Sequence, residues 1–124
     1  MDREKIINNY ISAYNNFDIE KMLTDLDENI KFENISNDII NMTLTNLAAF
    51  REQAEQSKNI FTTRSQTIIS WKHEANQTEI EITYNAVLAI DLPNGLKKGE
   101  VLNLSGKSIF TFLNDKIIEL KDYS

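Results

Sequence analysis

Residues 10–34, YISAYNNFDIEKMLTDLDENIKFEN, contain the changes of pattern that decide the fold of this chain. Tyr10 and Tyr14 lie on an apolar stripe at helical spacing, which extends back to an expected helix cap at Asp2. Asp18 is expected to cap a short second helix, and IKFEN at the end of the stretch alternates as a strand does. The stretch therefore predicts a long aromatic helix, a short helix and a strand.

The rest of the chain changes from a helical period to the period of two that strands require. A third helix is predicted at LAAFREQAEQ, and the preceding NMTLTN is either a short strand or the lead-in to that helix. Asn114 and Asp115 predict a two-residue hairpin, and Gly106 predicts a bulge or a bend. Helices first and strands afterwards predict an α+β fold with the helices on one sheet face. The later strands are predicted within FTTRSQTIISWKH, EIEITYNAVLAID, EVLNLSGKSIFTFL and KIIELKDYS.

Strand alternation assigns side chains to the two faces of the sheet. On the last strand, Ile118, Leu120 and Asp122 are expected to point inward. An apolar strip on the opposite face indicates a second subunit, so we expect a homodimer through that outer face. The strand predicted within FTTRSQTIISWKH is expected to present one face formed by Thr67, Ile69, Trp71 and His73. The apolar residues expected on the outer face are Val87, Ala89, Val101, Ile109 and Ile117.

Composition and charge narrow the range of functions. The chain carries a net charge of −6, and its basic residues are scattered. Nucleic acids and anionic membranes bind basic surfaces, so we expect neither of them as a partner. It contains no cysteine and one histidine, and its carboxylates show no calcium-loop pattern, so no metal site is expected. No apolar run approaches ~18 residues. We therefore expect one cytoplasmic domain spanning residues 1–124, without a cofactor, unless a leader was removed.

Two parts of the sequence resemble a known superfamily. The stretch YISAYNNFDIEKMLTDLDENIKFEN is similar to the opening of ketosteroid isomerases, and SIFTFLNDKIIELKDYS is similar to the final hairpin of the same group. The resemblance spans essentially the whole chain and points to the nuclear transport factor 2-like superfamily, which includes the SnoaL-like polyketide cyclases. It implies a cone: a strongly curved mixed or antiparallel sheet wrapped around a long N-terminal helix and two shorter helices.

The resemblance to ketosteroid isomerases implies three functional positions. These enzymes use a carboxylate on the first strand, a tyrosine on the first helix and a protonated acid deep in the sheet. Tyr10 matches the tyrosine, Asn34 takes the position of the strand carboxylate, and Ser108 takes the position of the second oxyanion donor. An amide does not act as a general base near neutral pH, so the usual ketosteroid reaction is not expected.

The resemblance to SnoaL-like cyclases implies a single acid/base aspartate near the end of the last strand. The natural match falls at about Ser124, and Asp122 lies two residues earlier. That offset preserves the strand face and moves the carboxyl by ~6.5 Å. An inward Asp122 would have its pKa raised by burial, which suits a proton shuttle. The alternative is a solvated aspartate at a frayed chain end.

The remaining candidate residues could bind a ligand within the cone or simply form its core. Large rings on inward faces are more often core, and His73 is expected at an exposed strand end. Three of the rings could also fill the pocket: Trp71, Phe110 and Phe112. The full set of expected ligand-binding residues is Tyr14, Asn34, Trp71, Tyr84, Ser108, Phe110 and Phe112.

These observations predict a protein that holds a small hydrophobic molecule in a pocket. If it is an enzyme, the expected chemistry is cofactor-free isomerisation or cyclisation of an apolar carbonyl compound. Asp122 would act as the acid/base, while Tyr10 and Asn34 would polarise the carbonyl. The alternatives are a non-catalytic binding or dimerisation module, with the pocket filled or used as a carrier site, and a subunit that pairs with a different protein through its sheet face.

Overall fold

The computed structural model describes residues 2–124, which form three α-helices and a six-stranded sheet. The element order matches the sequence prediction, and NMTLTN belongs to a strand rather than to the third helix. The helices are α1 (Arg3–Asn15), α2 (Ile19–Leu23) and α3 (Leu47–Ser57), followed by a 3-10 turn at Lys58–Ile60. The strands are β1 (Leu26–Ser36), β2 (Ile39–Leu44), β3 (Phe61–His73), β4 (Gln77–Leu88), β5 (Val101–Leu113) and β6 (Lys116–Tyr123).

Side-chain caps start all three helices. The Asp2 and Asp18 carboxylates accept from backbone N–H groups one turn on, at 3.1 Å in each case, and the Asn46 side chain accepts from Ala49 N at 2.7 Å. Each cap satisfies a donor that the helix leaves unpaired. The caps predicted at Asp2 and Asp18 are therefore confirmed, and Asn46 caps the third helix.

The sheet is mixed and curls around α1. Its strand order is β2-β1-β6-β5-β4-β3, in which β1 and β6 run parallel and all other neighbours are antiparallel. Asn114 and Asp115 both have positive φ, as the predicted two-residue hairpin requires. The core between α1 and the concave face includes the fully buried Ile7 and Phe110. The α+β cone predicted from the sequence is confirmed.

Register shifts overturn two of the predicted face assignments. The β3–β4 pairing shifts between Ile68 and Ser70, and Ile69 is 58% exposed on the outer face while Trp71 points inward. The β5–β6 pairing shifts beside Ile117, which is fully buried inside the cone rather than on the outer face. An extra residue in one strand reverses the alternation beyond it, so a strict period of two fails at both places.

Gly106 is not at a bulge. It pairs in register with Ile82 on β4, and no shift interrupts the pairing there. A Cβ at this position would lie 3.0 Å from the backbone oxygen of Tyr123. The close approach of the β6 backbone therefore explains why a glycine occupies position 106.

The outer sheet face differs from the expected apolar strip in its members, since it also carries the exposed Ile69. Ile117 lies inside, while Val87, Ala89 and Ile109 are only half-buried, and Val101 is exposed. The homodimer through this face stays a prediction. Within residues 2–124, no helix is long and apolar enough to cross a membrane.

Arg3 connects the start of α1 to the β3–β4 turn. Its guanidinium donates to the carbonyl oxygens of Glu74 at 2.7 Å and Gln77 at 3.2 Å, and also to that of Ala75. It also lies over the Phe112 ring, 5.5 Å from the centroid. Replacement of this one side chain therefore removes a donor from three carbonyl groups, of which that of Gln77 still accepts from Glu74 N at 2.8 Å.

We expect Arg3→Met to lower the free energy of unfolding by about 1–2 kcal/mol, because charge-assisted hydrogen bonds to several carbonyls are lost. Urea denaturation monitored by circular dichroism measures this change. Arg51→Met is the matched control, since Arg51 makes only an exposed ion pair with Glu20. Equal losses in the two variants would contradict a structural role of Arg3.

Candidate functional site

A cavity of about 390 Å³ lies between the helices and the concave face of the sheet. Apolar side chains form most of its wall, and the wall extends to the exposed Leu104 on β5. The apolar lining includes Met22, Phe32, Met42, Leu44, Phe50, Phe61 and Ile82. The polar residues that line it include Tyr10, Tyr14, Asn34, Gln53, Ser57, Arg64, Gln66, Tyr84, Ser105, Lys107, Ser108 and Asp122.

Three of the polar residues form a row across the sheet. Asp122 on β6 pairs with Asn34 on the parallel strand β1 and with Ser108 on the antiparallel strand β5. The Ser108 hydroxyl donates to Asp122 Oδ1 at 2.7 Å. The chain end is held in place, because Ser124 N donates to the backbone oxygen of Ile35 at 3.0 Å. The expected alternative of a solvated Asp122 at a frayed end therefore does not apply.

The environment of Asp122 changes its acidity. Burial of the carboxyl raises its pKa from the ordinary 3.8 to about 6, and the hydrogen bond from Ser108 opposes this shift because it favours the charged form. The carboxyl is thus mostly ionised at neutral pH, and its pKa lies close enough to neutral for it to take up and release a proton there. That is the property required of a general base or acid in water.

Tyr10 and Asn34 carry unused hydrogen-bonding capacity beside this carboxyl. The buried Tyr10 ring packs edge-on against Phe110, with centroids 5.8 Å apart. Its hydroxyl and the Asn34 side chain make no hydrogen bond within residues 2–124, and both residues line the cavity. Burial, and secondarily the charge of Asp122, raises the pKa of Tyr10 well above its usual value. The phenol therefore stays protonated and can donate.

A second polar group lies on the β3–β4 side of the cavity. The Tyr14 and Tyr84 hydroxyls are hydrogen-bonded to each other at 2.9 Å. Arg64 is 4% exposed, its Nε donates to the backbone oxygen of Tyr14 at 2.8 Å, and its guanidinium stacks 3.7 Å from the Tyr14 ring centroid. Gln66 lies two residues along, and its buried side-chain oxygen has no hydrogen-bond partner within residues 2–124.

The sequence reasoning missed Arg64 and Gln66. Alternation through Thr67, Ile69 and Trp71 placed these two residues on the opposite face of β3, whereas the register shift at Ile69 turns them inward. A prediction that assumes strict alternation along β3 misses this change of face. Only knowledge of where the bulge lies could have placed Arg64 and Gln66 on the inner face.

Three expected ligand-binding residues lie outside the cavity wall, which corrects that part of the prediction. Phe110 and Phe112 are packed into the core beside α1. Trp71 stacks on His73 at 5.9 Å between ring centroids, toward the other end of β3. His73 in turn contacts Glu4 Oε2 at 2.8 Å near the surface. These rings therefore leave the cavity unfilled.

A resident metal is not suggested by the side chains. Within residues 2–124, no group of three or more histidine, cysteine or carboxylate side chains is arranged to hold a metal ion. The chemistry available at the site is therefore that of one side-chain carboxyl, several hydroxyls, three amides, one guanidinium and one ammonium group.

Comparison with known proteins identifies the fold. No protein-family profile matches the chain. No curated protein sequence matches it either. Among solved structures, a candidate polyketide cyclase from Pseudomonas putida is 18% identical with a TM-score of 0.82, covering 100% of this chain and 92% of that one.

Two further structures agree with this result. A candidate polyketide cyclase from Xanthomonas campestris is 18% identical with a TM-score of 0.81, covering 98% of this chain and 88% of that one. A hypothetical protein of ketosteroid isomerase-like fold from Catenulispora acidiphila is 12% identical with a TM-score of 0.79, covering 97% and 85%. The protein therefore has the fold of the nuclear transport factor 2-like superfamily.

Proposed function

We propose that the protein binds a small, largely apolar carbonyl compound in the cavity and catalyses a cofactor-free isomerisation or cyclisation by proton transfer. The observation that carries this proposal is the inward Asp122, whose pKa is raised to about 6 beside the free Tyr10 hydroxyl in an apolar cavity. Tyr10 and Asn34 have no competing protein partner within residues 2–124, so both remain available to a ligand oxygen.

The proposed step is abstraction of a proton from the carbon next to the carbonyl group. The C–H bond breaks, the proton moves to an oxygen of Asp122, and the electron pair moves to the carbonyl oxygen as an enolate. The Tyr10 hydroxyl and the Asn34 amide stabilise that oxygen by hydrogen bonds. If a C=C bond is conjugated with the enolate, return of the proton to the far carbon gives isomerisation. Attack of the enolate carbon on a second carbonyl, whose oxygen then takes the proton from Asp122, gives cyclisation.

A carrier or binding role is the second candidate. It is favoured by Asn34, because the ketosteroid isomerases that this chain resembles have a carboxylate at the matching strand position. In that case the same polar groups hold the ligand, and no proton leaves it. Binding without proton exchange is the result that distinguishes this role from catalysis.

The direct test is solvent-deuterium exchange at the carbon next to a ketone. β-Tetralone and β-benzoylpropionamide are suitable probes, since each is an apolar carbonyl compound small enough for the cavity. Proton NMR in deuterated buffer measures exchange against a control with acetate at the concentration of the protein. Exchange above that control supports catalysis, whereas binding of the probes without exchange supports the carrier role.

Tyr10→Phe removes one of the two oxyanion donors and keeps the ring that packs on Phe110. We expect the exchange rate to fall about tenfold or more, because a preorganised donor stabilises the enolate more than the ketone. Tyr14→Phe is the control, since its hydroxyl is already paired with that of Tyr84. Equal rates in Tyr10→Phe and the unmodified protein would remove Tyr10 from the mechanism.

A further inference from the structure

Arg64 is a buried charge on the wall of the cavity. It lies on β3, pairs with Ala86 of β4 and is 4% exposed. The Tyr14 and Phe17 rings lie against its guanidinium, at 3.7 and 4.6 Å from their centroids. Aromatic faces of this kind offset part of the cost of removing a cation from water.

Most of the hydrogen-bonding capacity of this guanidinium is unused. A guanidinium carries five N–H donors. Nε donates to the backbone oxygen of Tyr14 at 2.8 Å, and Nη2 reaches only the Met22 sulfur at 4.0 Å. Within residues 2–124, no carboxylate oxygen lies within 4.0 Å of its nitrogens. A buried cation without a counter-ion is costly, so an anion that enters the cavity would be strongly favoured there.

The other cation on the cavity wall is in a different situation. Lys107 Nζ lies 3.9 Å from Glu79 Oε1 and 4.8 Å from the Tyr123 ring centroid. Its charge is therefore already partnered by a carboxylate. Among the cavity-lining residues, Arg64 alone is a cation without such a partner.

Arg64 and Asp122 lie at different positions along the paired strands of the sheet. Asp122 pairs with Ser108, and Ser108 pairs with Ile80 of β4. Arg64 pairs with Ala86, six residues farther along that same strand. Asp122 is therefore not an ion-pair partner of Arg64, and the two charged groups lie at different positions on the cavity wall.

We propose that Arg64 is the anion-binding point of this cavity and that the ligand is an apolar carbonyl compound bearing one carboxylate. This inference rests on the proposed function, and it specifies the chemical class of the substrate. The planar guanidinium matches a carboxylate in two parallel hydrogen bonds. A phosphate dianion fits less well, because it would meet a single unpartnered cation and the negative Asp122 in one cavity.

The test compares the keto acid β-benzoylpropionate with its neutral amide, β-benzoylpropionamide, by isothermal titration calorimetry near pH 7.5. We expect the acid to bind about tenfold or more tightly, since hydrogen bonds between two charged groups are the stronger ones. Arg64→Gln should abolish this preference, because it lowers the affinity for the acid far more than the affinity for the amide. Arg51→Gln, which removes one surface charge, should leave both affinities unchanged.

A measurement on the unmodified protein decides the matter if Arg64→Gln fails to fold. The acid, but not the amide, should shift the Arg64 Nε–Hε resonance in an NMR titration. The proposal is overturned if the acid binds no more tightly than the amide, including the case in which neither binds. Tighter binding of phenyl phosphate than of the acid overturns it as well.

Failure of this inference is distinguishable from failure of the proposed function. Exchange of β-tetralone without any preference for the acid leaves the proton-transfer function intact and removes the carboxylate. A preference for the acid without exchange of any probe keeps Arg64 as an anion-binding residue and removes catalysis.

Discussion

Asp122→Asn is expected to lower the rate of deuterium exchange at the ketone probes by about a hundredfold or more, the usual contribution of a positioned general base. The substitution is nearly isosteric, and the new amide oxygen can still accept the hydrogen bond that Ser108 now donates at 2.7 Å. The cavity and its other polar groups should therefore be retained. The loss of rate would reflect the missing base, since an amide has no usable proton affinity near neutral pH.

The pH dependence of the unmodified protein gives an independent measure of the same group. Exchange should rise with pH as Asp122 ionises, with a midpoint near its pKa of about 6, and then level off. Ser108→Ala should move that midpoint to higher pH, because the lost hydrogen bond favours the carboxylate. A midpoint that stays fixed in Ser108→Ala would mean that a different group titrates.

Glu119→Gln is the matched control for Asp122→Asn. Glu119 lies on the same strand, and its carboxylate is 3.8 Å from Lys121 Nζ rather than in the cavity. Exchange in this variant should equal that of the unmodified protein. Full activity in Asp122→Asn would eliminate the proposed mechanism, and a loss shared with Glu119→Gln would indicate an effect of net charge.

The local signals in the sequence were sufficient for the helices and turns. Asp2 and Asp18 cap their helices through side-chain contacts within three residues, so neighbouring residues carry all of the information. The turn at Asn114 and Asp115 is equally local. Asp122 could be placed inward because the β5–β6 pairing is regular from Glu119 to the end of the strand.

The composition of the cavity wall depended on interactions distant in sequence. Arg64 faces inward because of one register shift at Ile69, which no local pattern reveals. Trp71 does point inward as predicted, yet it lies away from the cavity, because curvature of the sheet determines where the open volume is. Strand alternation therefore predicts the face of the sheet and leaves the position of the cavity undetermined.

Asp122 should also make the stability of the fold depend on pH in an unusual direction. Its pKa is about 6 in the folded protein against 3.8 for an unperturbed aspartate, so the folded state binds the proton more tightly than the unfolded state. Below the unfolded pKa both states are protonated, and the full stability is present. As pH rises through the folded pKa, this contribution is lost.

Relative to the unmodified protein, Asp122→Asn should therefore gain free energy of unfolding between about pH 4 and pH 7. A shift of this size corresponds to about 3 kcal/mol, and screening by water in the cavity reduces the expected gain to about 2 kcal/mol. Urea denaturation at intervals across this range measures the difference, and Glu119→Gln supplies the effect of losing a carboxylate outside the cavity. A difference that stays constant from pH 4 to pH 7 would show that burial does not perturb Asp122. In that case, whatever the exchange rates, no raised pKa would explain how Asp122 acts as a proton shuttle near neutral pH.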